Sequence, residues 1–142
     1  KRKKLLLNRV HDILGKNIKN KKIVFLGVTF KPNTDDMRDS VSLLMVPYLH
    51  NRGAKILYYE PTGEKKEFTK LKNCKYYNQI HLVCQDADLI ILHTEWDEFK
   101  SLDFSKMVKN KKFKLYDLRN LYNHSEMNKN KIKYFSIGRP VN

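Results

Sequence analysis

Gly27-Val-Thr-Phe-Lys-Pro-Asn-Thr-Asp-Asp-Met-Arg-Asp-Ser40 is the stretch on which the reading of this chain turns. Before it runs Ile23-Val-Phe-Leu26, short, β-branched and aromatic, the pattern of a buried strand. After it, Ser40–His50 carries the composition of a helix. The segment between is therefore a strand-to-helix loop, the place where α/β sheets keep their ligand chemistry. It holds Lys31, Arg38 and the carboxylates of Asp35, Asp36 and Asp39. Proline at position 32 pushes Lys31 toward extended backbone, so the lysine points into whatever crevice the sheet forms. Arg38 falls near the helix start, where an anion also meets free backbone N–H groups. The loop is suited to an anionic ligand. The plainer alternative is that Asp35, Asp36, Asp39 and Ser40 cap the helix.

Working outward, Lys55-Ile-Leu-Tyr-Tyr-Glu60 reads as a second strand closed by Pro61-Thr-Gly63, so residues 23–60 make a βαβ unit with a right-handed crossover. Pro47 inside the intervening helix should kink it or end its regular turns. Glu60 occupies the place where a dinucleotide fold carries its ribose-binding acid. The first loop lacks Gly-x-Gly-x-x-Gly, however, so NAD binding by that fingerprint is not expected and Glu60 is read as structural. Upstream, Leu6, Val10, Ile13 and Leu14 recur at helical spacing over residues 3–14, and Gly15 stops that helix.

Downstream, a charged connection at Glu64–Leu71, a short strand at Lys75–Asn78 and a helix over Gln79–Gln85 precede Leu89-Ile-Ile-Leu92, the clearest buried strand in the chain. His93-Thr-Glu-Trp-Asp-Glu-Phe99 follows it. His93 and Glu95 could form an acid/base pair there. Alternatively, Thr94 caps the next helix with Asp97 in a capping box, while Trp96 and Phe99 pack. A short helix over Leu102–Val108 and a strand over Phe113–Asp117 bring Arg119 to the carboxyl edge of the sheet, on the side where Lys31 emerges. A diphosphate would fit between a planar guanidinium and a mobile ammonium. An arginine paired with Asp117 or a loop carbonyl is the alternative. Ile132–Ser136 is a last strand and Ile137–Pro140 a turn. The expected fold is a Rossmann-like three-layer α/β domain with a mostly parallel sheet of five to six strands.

Composition narrows the function classes. The 142 residues suit one domain, and no apolar run reaches membrane-spanning length. Basic residues before Leu5–Leu7 echo a signal peptide, but the apolar run is too short. The net charge is +14, yet the 29 basic residues include only six arginines and spread along the whole chain. Base readout leans on arginine and on clustering, so a solvated basic surface is expected rather than nucleic-acid binding. Cys74 and Cys84 make neither a disulfide framework nor a metal site, and a reduced, cytoplasmic setting is expected.

Gly27–Ser40 resembles the signature loop of the C-terminal domain of the UDP-glucose/GDP-mannose dehydrogenase family, and most of all its UDP-glucose 6-dehydrogenase branch. His93–Phe99 and Asp117-Leu-Arg-Asn120 are similar to two further segments of that family, in the same order. The resemblance implies a lead-in helix and link at residues 1–20 and a UDP-sugar-binding domain at 21–142. It implies that Phe30, Lys31 and Arg119 contact the UDP-sugar, the arginine usually serving the neighbouring subunit, and that Arg38 reaches the phosphates of NAD. In such enzymes UDP-glucose is oxidised twice to UDP-glucuronate through a thiohemiacetal and a thioester on a cysteine. NAD is held mainly by an N-terminal domain, and a central helix builds a homodimer. Neither cysteine here has the Gly-Gly-x-Cys-Phe context of that nucleophile, so no catalytic residue is assigned. The chain is expected to work with N-terminal and central dehydrogenase domains in the same or another chain. A structural remnant and a basic nucleic-acid-binding module are the other classes it could represent. Which nucleotide sugar is taken stays open.

Overall fold

Helix α1 (Arg2–Leu14) opens the structure, a computed structural model in which residues 2–137 are described. It turns Leu6, Leu7, Val10 and Ile13 toward the sheet and leaves Leu5 in solvent. Burying such side chains contributes roughly 1.5–3 kcal/mol each, so α1 is fastened to the domain. Arg9 Nη2 donating to Ser136 O at 2.9 Å and Lys114 Nζ donating to Ile13 O at 3.2 Å add polar ties. Gly15, at φ +98°, ends the helix and donates its N–H to His11 O.

The chain then alternates strands and helices. Strand β1 (Lys22–Leu26), helix α2 (Ser42–Asn51), β2 (Lys55–Tyr59) and β3 (Cys74–Tyr76) build one half. Helix α3 (Ile80–Cys84), β4 (Leu89–Leu92), α4 (Phe104–Met107), β5 (Lys114–Asp117), α5 (His124–Lys129) and β6 (Lys133–Ser136) build the other. Short 3₁₀ turns at Lys66–Phe68 and Asp97–Phe99 complete it. All six strands are parallel, in the order β3-β2-β1-β4-β5-β6. Several elements start or stop one or two residues from the sequence expectation.

The period of two along each strand divides the core. Ile23, Phe25, Leu89 and Ile91 pack beneath α1 and α2, with Met45, Val46 and Leu49 from α2. Val24, Leu26, Ile90 and Leu92 pack beneath the other helices, against Val83, Phe99, Phe104 and Met127. Central strands buried on both faces read as unbroken apolar runs for this reason.

Of two local expectations, one is narrowed and the other corrected. Helix α2 runs through Pro47 without stopping. The carbonyl that loses its partner belongs to Leu43, on the exposed side of the helix, where solvent can take the missing bond. Thr94 is no helix cap: the turn at Asp97–Phe99 follows Trp96 with no side-chain cap bond. The Thr94 hydroxyl is fully buried and donates instead to Thr29 O at 2.8 Å. A long-range acceptor available in the interior outcompetes a solvated local one. The turn expected at Ile137–Pro140 lies, beyond Ile137, outside the described residues.

Candidate functional site at the mouth of the sheet

Strand β1 pairs with β2 on one side and β4 on the other. The chain therefore winds outward in opposite directions from the β1–β4 boundary, and α/β sheets bind ligands outside the carboxyl ends of the strands at such a boundary. The close approach of the two strand ends begins at Gly27. Its φ is +77°, and a Cβ there would lie 2.6 Å from Thr94 Cβ. No other residue type combines this backbone conformation with so short a contact.

Beyond Gly27 the loop is held at its base by buried groups. Glu60 is fully buried, with Oε1 accepting from Val28 N at 2.8 Å and Oε2 from Thr62 N and Thr62 Oγ1 at 3.1 and 2.7 Å. Ser40 Oγ and Ser42 Oγ both donate to Val28 O at 2.6 Å. Of the four residues read as possible caps, among the described residues Ser40 is the one that meets the helix start, accepting from Ser42 N at 3.3 Å. With its base fixed, the loop presents Phe30, 45% exposed, and the exposed Lys31 at the mouth.

The arm after β5 is shaped by a second buried carboxylate. Asp117 accepts from Arg119 N and Tyr122 N at 2.9 and 3.0 Å and from Tyr134 Oη at 2.6 Å. This directs Arg119 back over β4, where its Nε donates to His93 O at 2.8 Å and its Nη2 to Phe30 O at 3.3 Å. The carbonyl bonds are the plainer of the two sequence alternatives for Arg119. The residue also faces a crevice of about 450 Å³ with Phe30, Lys31, Pro32 and Glu95. The size lies within the range of small-molecule sites. Lys3 and Leu6 of α1 line the same crevice, a contribution for which the lead-in helix gave no local signal. Glu95, three residues past the end of β4, was read from the sequence only as a possible partner of His93 or as part of the segment shared with the family.

Arg38 is not part of this crevice lining. It stands outside, its side chain 88% exposed, forked onto Asp36 with Nε to Oδ1 at 3.1 Å and Nη2 to Oδ2 at 3.0 Å. The Arg38 fork and backbone N–H hold the Asp36 carboxyl below its ordinary range, and Asp36 in return raises the guanidinium.

An acid/base pair of His93 and Glu95 is not what the structure forms. The His93 imidazole is buried, and burial, with a smaller contribution from the Arg119 charge, pushes its pKa down to about 3. Thr94 Oγ1 spends its proton on Thr29 O, so His93 Nδ1 is the donor in the 2.8 Å contact between them. The ring is a neutral strut between loops. Burial raises both thiols to about 12, which leaves Cys74 and Cys84 without nucleophilic character near neutral pH.

The turn after β1 does not have the form of a glycine-rich dinucleotide cradle. The carboxylate at the ribose position, Glu60, is sealed by Val28 and Thr62, and the β1 turn is packed against Thr94. The backbone approach that a pyrophosphate requires is absent from this turn. Among the described residues no group of three or more His, Cys, Asp or Glu side chains is placed to hold a metal ion, and no helix is long and apolar enough to cross a membrane.

Comparison with known proteins fits this geometry. The model of the UDP-glucose/GDP-mannose dehydrogenase family, UDP binding domain, matches residues 24–124. The UDP-glucose 6-dehydrogenase of Rhizobium meliloti is 38% identical over 140 residues, which are 98% of this chain and 32% of that protein. Among solved structures, an NDP-N-acetyl-D-galactosaminuronic acid dehydrogenase from Methanosarcina mazei superposes with a TM-score of 0.78 at 21% identity, covering 97% of this chain and 29% of that one. A UDP-glucose dehydrogenase from Pyrobaculum islandicum gives 0.75 at 21% identity, over 94% of this chain and 28% of that one, and both show the shared fold. The chain thus spans about a third of the length of the curated relatives it matches. It belongs to the UDP-glucose/GDP-mannose dehydrogenase family and carries that family's UDP binding domain.

Proposed function

We propose that this chain is the UDP-sugar-binding, capping part of an NAD-dependent UDP-glucose 6-dehydrogenase, which oxidises UDP-glucose to UDP-glucuronate. The observation that carries the proposal is the convergence of Phe30, Lys31 and Arg119 on one crevice at the β1–β4 boundary. Lys31 supplies a mobile point charge and Arg119 a planar fork with donors left over from its two carbonyl bonds, the pairing that suits a diphosphate. Phe30 offers an exposed aromatic face that a base or sugar ring can cover.

Residues 21–142 form the UDP-sugar-binding domain in this reading, with 1–20 as its lead-in. Oxidation takes place on residues outside this chain, since neither thiol here is activated. NAD is held mainly by the N-terminal domain of the enzyme, with Arg38 of this chain reaching its phosphates. The complete enzyme is a cytoplasmic homodimer that makes a uronate donor for polysaccharide synthesis.

Titration of UDP-glucose into the purified chain tests the proposal, with Lys31→Ala and a random DNA duplex beside it. Weak, saturable binding that disappears in Lys31→Ala is expected. Absence of sugar-nucleotide binding, or tight salt-sensitive binding of the duplex instead, overturns it. Adding the N-terminal and central domains should then restore NAD reduction.

A further inference from the structure

Two carboxylates, Asp39 and Glu95, line the crevice proposed for an anion. Glu95 is the one beside Arg119, and its surroundings say what it is free to do. Glu95 follows β4 closely and shares the mouth with Lys31 and Arg119. Its side chain is 38% exposed. Among the described residues its one ion pair is long, 3.7 Å from Oε1 to Arg119 Nε, and that Nε is aimed at His93 O at 2.8 Å. Among the described residues nothing donates a hydrogen bond to the Glu95 carboxylate.

An acceptor-only group in that position repels a diphosphate and attracts hydroxyls. Dinucleotide folds meet the same need with an acid at the end of β2, which takes the ribose diol. Here the acid at that place, Glu60, is sealed inside by Val28 and Thr62. Across β1, at the end of β4, Glu95 remains open.

We propose that Glu95 binds a vicinal diol of the nucleotide sugar, setting the orientation of the ligand whose diphosphate lies against Lys31 and Arg119. This rests on the crevice being the nucleotide-sugar site. Glu95 separates the hydroxyl-bearing end of the ligand from the phosphate-bearing end: the cations hold one and the acid holds the other. The diol belongs either to the ribose or to the hexose.

The test titrates UDP-glucose, UDP and inorganic pyrophosphate into the full chain and its Glu95→Gln variant, following backbone amide shifts. Replacing the carboxylate should weaken UDP-glucose about tenfold, the loss of a charge-assisted bond. Pyrophosphate should bind the variant as well as the wild type or better, because a repelling charge has gone. A merely structural role for Glu95, acting through a displaced Arg119, would weaken both ligands together. Equal weakening of UDP and UDP-glucose assigns the diol to the ribose, and weakening of UDP-glucose alone assigns it to the hexose. Unchanged UDP-glucose affinity, or a parallel loss of pyrophosphate, overturns the inference and leaves the site assignment standing. Failure of the wild-type chain to bind UDP-glucose removes the site assignment itself, and this inference with it.

Discussion

Glu60 and Glu95 are the same side chain on the two flanks of β1, one just after β2 and the other shortly after β4. They have opposite fates. Glu60 is buried and takes three hydrogen bonds, two of them from a neighbouring turn and one from the first turn of the signature loop. Glu95 is partly exposed and, among the described residues, has a single long ionic contact. The difference lies in the donors each one meets. On the β2 flank, backbone N–H groups converge on the carboxylate and make it part of the scaffold. On the β4 flank the nearby donor, Arg119, is already committed to carbonyls. One flank shapes the loop and the other faces what binds there.

The contrast can be broken most severely at the strand between. Gly27→Ala places a Cβ against Thr94 Cβ at a left-handed backbone position, which should cost about 3 kcal/mol or more, or prevent folding, as read by urea denaturation. Next, Glu60→Ala leaves the buried Val28 N–H without its acceptor, and a loss of about 2–3 kcal/mol is expected in the same measurement. Retained stability in that variant would mean the β2 flank does not build the loop.

The third test uses pH. His93 has its folded pKa lowered to about 3 from an ordinary 6.5, so as pH falls the unfolded chain takes up the proton first. The stability it contributes is full above 6.5 and lost on descending toward 3, with a slope approaching about 1.4 kcal/mol per pH unit. His93→Val should flatten the decline between pH 6.5 and 5 relative to wild type. Glu95→Gln should shift stability by no more than about 0.5 kcal/mol, since surface ionic contacts contribute little. Finally, Asp36→Asn should leave the unfolding midpoint where it was while freeing the Arg38 fork, visible as greater motion of the guanidinium Nε–Hε in NMR relaxation.

What the chain disclosed in advance follows from how local each signal was. Leu89–Leu92 was legible because a strand buried on both faces needs apolar residues throughout, and Glu60 because missing glycines already argued against a ribose partner. The convergence of Lys31 and Arg119 followed from strand order, once both were placed at carboxyl ends. Thr94 was misread because its acceptor, Thr29, lies far away in the chain, and sequence offers only the local capping pattern. Pro47 left a kink and a stop both open, because propensity takes no account of which face its lost bond lies on, and the helix does not stop there. Glu95 was read as a possible acid/base partner of His93 or as one residue of a segment shared with the family. Its free carboxylate shows only where Arg119 is seen turned toward His93.

The crevice also has a history within each folding event. All five strand pairings are parallel, so none forms by a simple hairpin, and the one that creates the crevice joins β1 to a strand far along the chain. Closing that distance costs chain entropy before any contact repays it, which slows such folds. Lys31 and Arg119 therefore meet only after the longest pairing is complete. Partly folded chains offer a ligand nothing to hold, and a bound nucleotide sugar stabilises the finished molecule alone.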